Sequence, residues 1–239
     1  MMKNITEFLE ESENNNTVDS DKSVVQQLID CFPKAISSKT QKSQVAGIAM
    51  EVSLVYDLLK SGRTVTWNIV EKSTGEEDFR GVKVQSIAEI LTGAYPGKFN
   101  VTRADKALDN KNSGDISVTD SGQTYNIEVK YGNSDKAILG SINTADIEKI
   151  PQFDWNYLAT TGTQSDDWYF IEKNLIYTDV LEREVNAQTW KRSSIQRTTG
   201  YVPIQELVNK DKLDKTTRIF TDITSKNTEF VKYVRTYCR

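Results

Sequence analysis

Tyr125-Asn126-Ile127-Glu128-Val129-Lys130-Tyr131 alternates strictly between apolar or aromatic and polar side chains. Successive side chains of a strand leave on opposite faces, so Tyr125, Ile127, Val129 and Tyr131 share one face and Asn126, Glu128 and Lys130 share the other. The stretch predicts a strand that delivers an acid and a lysine into one space. Upstream, Asp115-Ile116-Ser117-Val118-Thr119 alternates in the same way, with Ile116 and Val118 on one side and Asp115 on the other. Asp120-Ser121-Gly122-Gln123 lies between them and has the composition of a tight hairpin turn. A hairpin centred between Ser121 and Gly122 sets Asp115 directly opposite Glu128, with Cβ atoms ~4.5–5.5 Å apart. Like charges facing each other destabilise a strand pair. A hard divalent cation removes that cost, because carboxylate oxygens are its preferred ligands.

The neighbouring sequence supplies the rest of an α/β core. Val45, Ile48, Ala49, Val52, Val55, Tyr56 and Leu59 recur at helical spacing and predict a helix over 45–60, with Ser43 as its cap and Gly62 ending it. Within that stripe Glu51 has Ile48, Leu54 and Val55 as helical neighbours; an acid there needs a partner or a metal, or else sits on the flank with its carboxylate in solvent. A short helix is expected over 23–32, stopped before Pro33, and a polar linker over 37–43. Thr64–Val70 and Phe99–Thr102 read as strands, and Val84–Leu91 as a helix closed by Gly93. Residues 135–150 read as mostly helical up to Pro151, and Trp168–Ile171 as a fully buried strand. Gly93–Phe99 hints at a phosphate loop, but its spacing is one residue short and Phe99 stands where a hydroxyl would hold magnesium.

Composition narrows the chemistry. The 239-residue chain contains no histidine, which excludes Ser-His-Asp and Cys-His hydrolases, His-dependent nucleases and His-ligated zinc. Acid–base and metal chemistry must come from carboxylates, lysine, tyrosine or water. The two cysteines, Cys31 and Cys238, lie far apart and form no zinc motif, so an intracellular, cytoplasmic chain with free thiols is expected. No apolar run approaches the ~18 residues of a membrane span, and the first residues lack a signal-peptide core. The net charge of −4 is unevenly spread: residues 1–30 hold seven acids against two lysines, whereas residues 186–239 hold eleven Lys and Arg against five acids. Three regions are expected: an acidic, flexible lead-in with a short helix over 1–43, a core over 44–185 and a basic extension over 186–239.

An Asp at the end of a loop, a hairpin, then Glu-x-Lys in an apolar strand resembles the signature of PD-(D/E)XK nucleases, here Gly114-Asp115 and Glu128-Val129-Lys130. The likeness covers roughly 44–172 and departs from the family at Gly114, which takes the proline position. It implies a restriction-endonuclease-like fold, a mixed central sheet flanked by helices, and a type II restriction endonuclease as leading subclass. It also implies a magnesium (or manganese) ion on Asp115, Glu128, the main chain of Val129 and Glu51, with Lys130 assisting the attacking water. The partner would be double-stranded DNA, cut by a homodimer and contacted by Lys191, Arg192, Arg197, Lys210, Lys212, Lys215 and Arg218. Three alternatives stand beside this. The strand could be a surface strand with Glu128 and Lys130 in solvent. The chain could be a phage or mobile-element repair or recombination nuclease. Or it could be a DNA-binding module on the same fold without catalysis.

Overall fold

A computed structural model of the chain describes residues 24–71, 78–105, 114–131, 136–138, 154–161, 167–175, 201–203 and 219–238. Its helices are α1 (24–30), α2 (Lys39–Lys60), α3 (Val84–Ala94) and α4 (Thr228–Tyr237). Its strands are β1 (Thr64–Glu71), β2 (Asp78–Phe79), β3 (Val82–Lys83), β4 (Phe99–Asp105), β5 (Ile116–Asp120), β6 (Gln123–Tyr131), β7 (Lys136–Ile138), β8 (Tyr157–Thr161), β9 (Tyr169–Glu172) and β10 (Tyr201–Pro203). The fold is α/β: a mixed, open six-stranded sheet of order β4-β1-β5-β6-β8-β9, flanked by helices. β1 and β4 run parallel and are joined through α3, the crossover that a parallel pair requires. β5 and β6 form the antiparallel centre. No helix among the described residues is long and apolar enough to cross a membrane.

The β5–β6 hairpin has the expected register. Ile116 pairs with Ile127, Val118 with Tyr125 and Asp120 with Gln123, which leaves the two-residue loop Ser121-Gly122. Both loop residues have positive φ, +50° and +82°, as the hairpin turn that matches strand twist demands. The same register carries one apolar ladder across the sheet, from Val65 and Trp67 of β1 through Ile116 and Val118 to Ile127 and Val129, then to Ala159 and Phe170. All eight residues are buried in a single cluster with α2. Thr66, Asn68, Ser117, Asn126, Glu128 and Lys130 alternate onto the opposite face and stay partly exposed.

Several boundaries differ from expectation. α2 begins at Lys39, so 39–43 is helix and not linker. Ser38, not Ser43, is the cap, its side chain accepting from the Gln41 N–H at 3.1 Å. At the other end Gly62, with φ +94°, donates to Leu59 O, and the Arg63 N–H returns to Leu58 O. This pair of bonds satisfies the last carbonyls and stops the helix as expected. Gly93 lies inside α3, which runs to Ala94. Lys136–Ile138 is a strand paired with β10, where helix was expected; the rest of 135–150 lies outside the described residues. So do residues 1–23 of the acidic lead-in and all seven basic residues from Lys191 to Arg218. α4 was not expected at all: Phe230, Tyr233 and Val234 enter the same core as Val25, Leu28 and Phe32 of the N-terminal segment. The three-part division by charge is therefore not a division of packing among the described residues. Cys31 and Cys238 are buried free thiols.

Candidate active site

β5 is shorter than both of its neighbours, and this shapes the site. Its pairing with β1 ends at Trp67–Ile116 and its pairing with β6 at Ile116–Ile127. Beyond that level β1 continues against β4 alone, and β6 against β8 alone. The result is a notch in the sheet with Asp115 at its floor.

Two hydrogen bonds hold Asp115 there, and a side-chain network braces its neighbours. Its carbonyl accepts from Asn68 N–H of β1 at 2.9 Å. Its Oδ2 accepts from Val129 N–H of β6 at 2.7 Å, so the side chain completes the ladder that the backbone has left. The Asn68 amide also donates to Gly114 O at 3.1 Å and Ser117 Oγ at 3.2 Å, and Ser117 Oγ donates to Asn126 Oδ1 at 2.7 Å. Gly114 explains the departure from proline. Its φ is +81°, and an added Cβ would stand 2.8 Å from Ile127 O. Proline is locked near φ −65° and cannot adopt this corner, while any side chain would strike β6. The N–H and C=O of one strand residue leave the same edge, so the Val129 carbonyl also faces the notch.

Glu128 and Lys130 leave β6 together, as the alternation requires, and form an ion pair between Nζ and Oε1. Their side chains are 18% and 24% exposed, so the pair is reachable from solvent. Glu51 comes from α2, where Trp67 Nε1 donates to its Oε2 at 3.1 Å. The solvated-flank reading of Glu51 therefore does not describe it.

The charges of these groups are coupled. Burial first, then the nearby Glu128 and Glu51 carboxylates, hold the Asp115 carboxyl well above the ordinary carboxylate range. Burial also pushes Glu51 up to about 7, against the Trp67 hydrogen bond and the Lys130 charge that favour its ionised form. Burial works against the charge of Lys130, but Glu128 and then Asp115 outweigh it and hold the ammonium above the usual lysine range. With all three acids ionised the site carries more negative charge than one lysine offsets. Such a site binds protons or a cation.

The structure thus brings together Asp115, Glu128, Val129, Lys130 and Glu51. Among the described residues no three His, Cys, Asp or Glu side chains converge as a metal cage. The donor set still fits magnesium, which takes only one or two protein carboxylates and completes its shell with water and substrate oxygens. Sequence reasoning passed over Trp67 and Asn68. Trp67 was legible in part, because a buried indole N–H needs an acceptor. Comparison of the chain with family models, curated proteins and solved structures gave no match.

Proposed function

We propose that the chain is a magnesium-dependent endonuclease of the restriction-endonuclease-like, PD-(D/E)XK type that hydrolyses DNA phosphodiester bonds. The observation that carries this reading is the notch, where Asp115 lies opposite Glu128-Val129-Lys130 and is tied to that strand by the Val129 N–H. Asp115, Glu128 and the Val129 carbonyl would hold the magnesium ion, with Glu51 beside them. When bound, the ion would supply Lewis-acid polarisation of the scissile phosphodiester. Lys130 remains charged in its acidic surroundings and orients the attacking water or offsets charge developing on the phosphorane. Cleavage leaves 5′-phosphate and 3′-hydroxyl ends. A type II restriction endonuclease acting as a homodimer on double-stranded DNA is the subclass we favour. Lys191, Arg192, Arg197, Lys210, Lys212, Lys215 and Arg218 would contact the duplex.

Supercoiled plasmid incubated with the protein and magnesium tests this reading. Cleavage is expected with magnesium, none with EDTA, and none with Asp115→Asn or Glu128→Gln, both of which should still retard DNA. Discrete products mark a restriction enzyme. Cutting confined to branched or nicked DNA marks a repair or recombination nuclease. Retardation without cutting marks a binding module, and full activity of either variant removes the assignment.

A further inference from the structure

We infer that Trp67 is a positioning residue that aims Glu51 into the notch. This rests on the reading of the notch as a cation-dependent site. Three observations carry it. Trp67 is 2% exposed and lies in the apolar ladder between Val101 and Ile116, so its ring has no freedom to turn. Its single polar atom, Nε1, donates to Oε2 of Glu51. And Glu51 arises from α2, the neighbouring layer, so nothing in the sheet's own backbone fixes its rotamer. A glutamate side chain has three rotatable bonds. One oxygen held by a rigid indole removes that freedom and leaves Oε1 to serve the Asp115 and Glu128 side of the site. The adjacent residue, Asn68, meanwhile holds the Asp115 main chain. The dipeptide Trp67-Asn68 of β1 thus sets two acids from different elements, one through each residue. This is how an outer partner orients a cation ligand.

The test is calorimetric titration of the full chain with Mn2+, comparing wild type, Trp67→Phe, Glu51→Gln and the double variant. Phenylalanine keeps an aromatic ring in the core and removes the donor, together with part of the ring volume, a loss that the comparison with the double variant separates from the loss of the donor. Trp67→Phe is expected to weaken Mn2+ binding by ~10-fold or more. The double variant should bind no more weakly than Glu51→Gln alone, because the indole acts through that carboxylate. A merely structural tryptophan would instead weaken binding additively. Unchanged affinity in Trp67→Phe, or additive losses, overturns the inference while leaving the cation site standing. Wild type that binds no Mn2+ removes the nuclease reading and this inference together. A second measurement needs no tryptophan variant. The chain has four tryptophans, hence four indole N–H resonances. The one that moves in Glu51→Gln is expected to move when Mg2+ is added to wild type, and a Glu51-sensitive resonance indifferent to Mg2+ contradicts the proposed role.

Discussion

At the scale of single residues, the site depends on one glycine as much as on its charged groups. Gly114 sits at φ +81° with its Cα against the backbone of Ile127. Gly114→Ala adds the cost of a left-handed alanine, ~1–2 kcal/mol, to a Cβ overlap with Ile127 O that only backbone movement relieves. A loss of at least ~2 kcal/mol in urea unfolding is expected, accompanied by weakened metal binding because Asp115 follows in the chain. An unfolding midpoint equal to wild type would show that the corner is not built as described. The register of the hairpin up to Ile116–Ile127 was readable because a period of two and a two-residue turn leave no freedom in the pairing. The expected Asp115–Glu128 pair does not form: the ladder ends one residue earlier, and the Asp115 side chain bonds the Val129 N–H instead. The closeness of Glu51 to these two acids was only half readable. Its apolar helical neighbours signalled burial, but its partner lies sixteen residues away on another element, and no local spacing encodes such a contact.

At the scale of elements, α2 carries a second, partly buried acid with a different role. Asp57 packs beneath the start of α4 and beside Trp168, but its Oδ2 and Trp168 Nε1 both lack well-formed hydrogen bonds. Burial pushes its carboxyl up to about 7, and the approach of Trp168 and the Asn227 N–H offsets that only in part. The unfolded carboxyl titrates near 3.8, so the folded state holds a proton that the unfolded state has released between roughly pH 4 and 7. Stability from this group is full below that window and is lost as pH rises through it, by at most ~4 kcal/mol. Asp57→Asn should therefore melt a few degrees above wild type at pH 8 in EDTA, with the advantage shrinking by pH 5. An asparagine variant less stable at pH 8 would contradict the sign. The element boundaries show where sequence patterns stop being informative. Ser38 and Ser43 are both serines ahead of the same apolar stripe, and the turns between them are polar, so hydrophobic spacing could not choose the cap. α4 was hidden differently: Phe230, Val231, Tyr233, Val234 and Tyr237 keep helical spacing but are interleaved with the charges of the basic region.

For the whole molecule, one sheet divides its labour between two faces. One face joins α2, α4 and the N-terminal segment in a single core. The other presents the polar alternates, and the shortened β5 opens the notch at which Asp115, Glu128 and Lys130 meet. Removing Lys130 leaves that core untouched, since Tyr125, Ile127 and Val129 pack on the opposite side. This separation allows chemistry to be tested apart from folding. The direct measurement compares wild type and Lys130→Ala, each assayed for calcium-supported DNA binding and for single-turnover, magnesium-supported cleavage on the same preparation. Binding should be retained while the cleavage rate at saturating protein falls by ~100–1,000-fold, the usual loss when one donor to transition-state charge is removed. A normal cleavage rate, with or without weakened binding, would contradict the account: Lys130 would then serve DNA contact or the fold, and the notch would not be where the phosphodiester is broken.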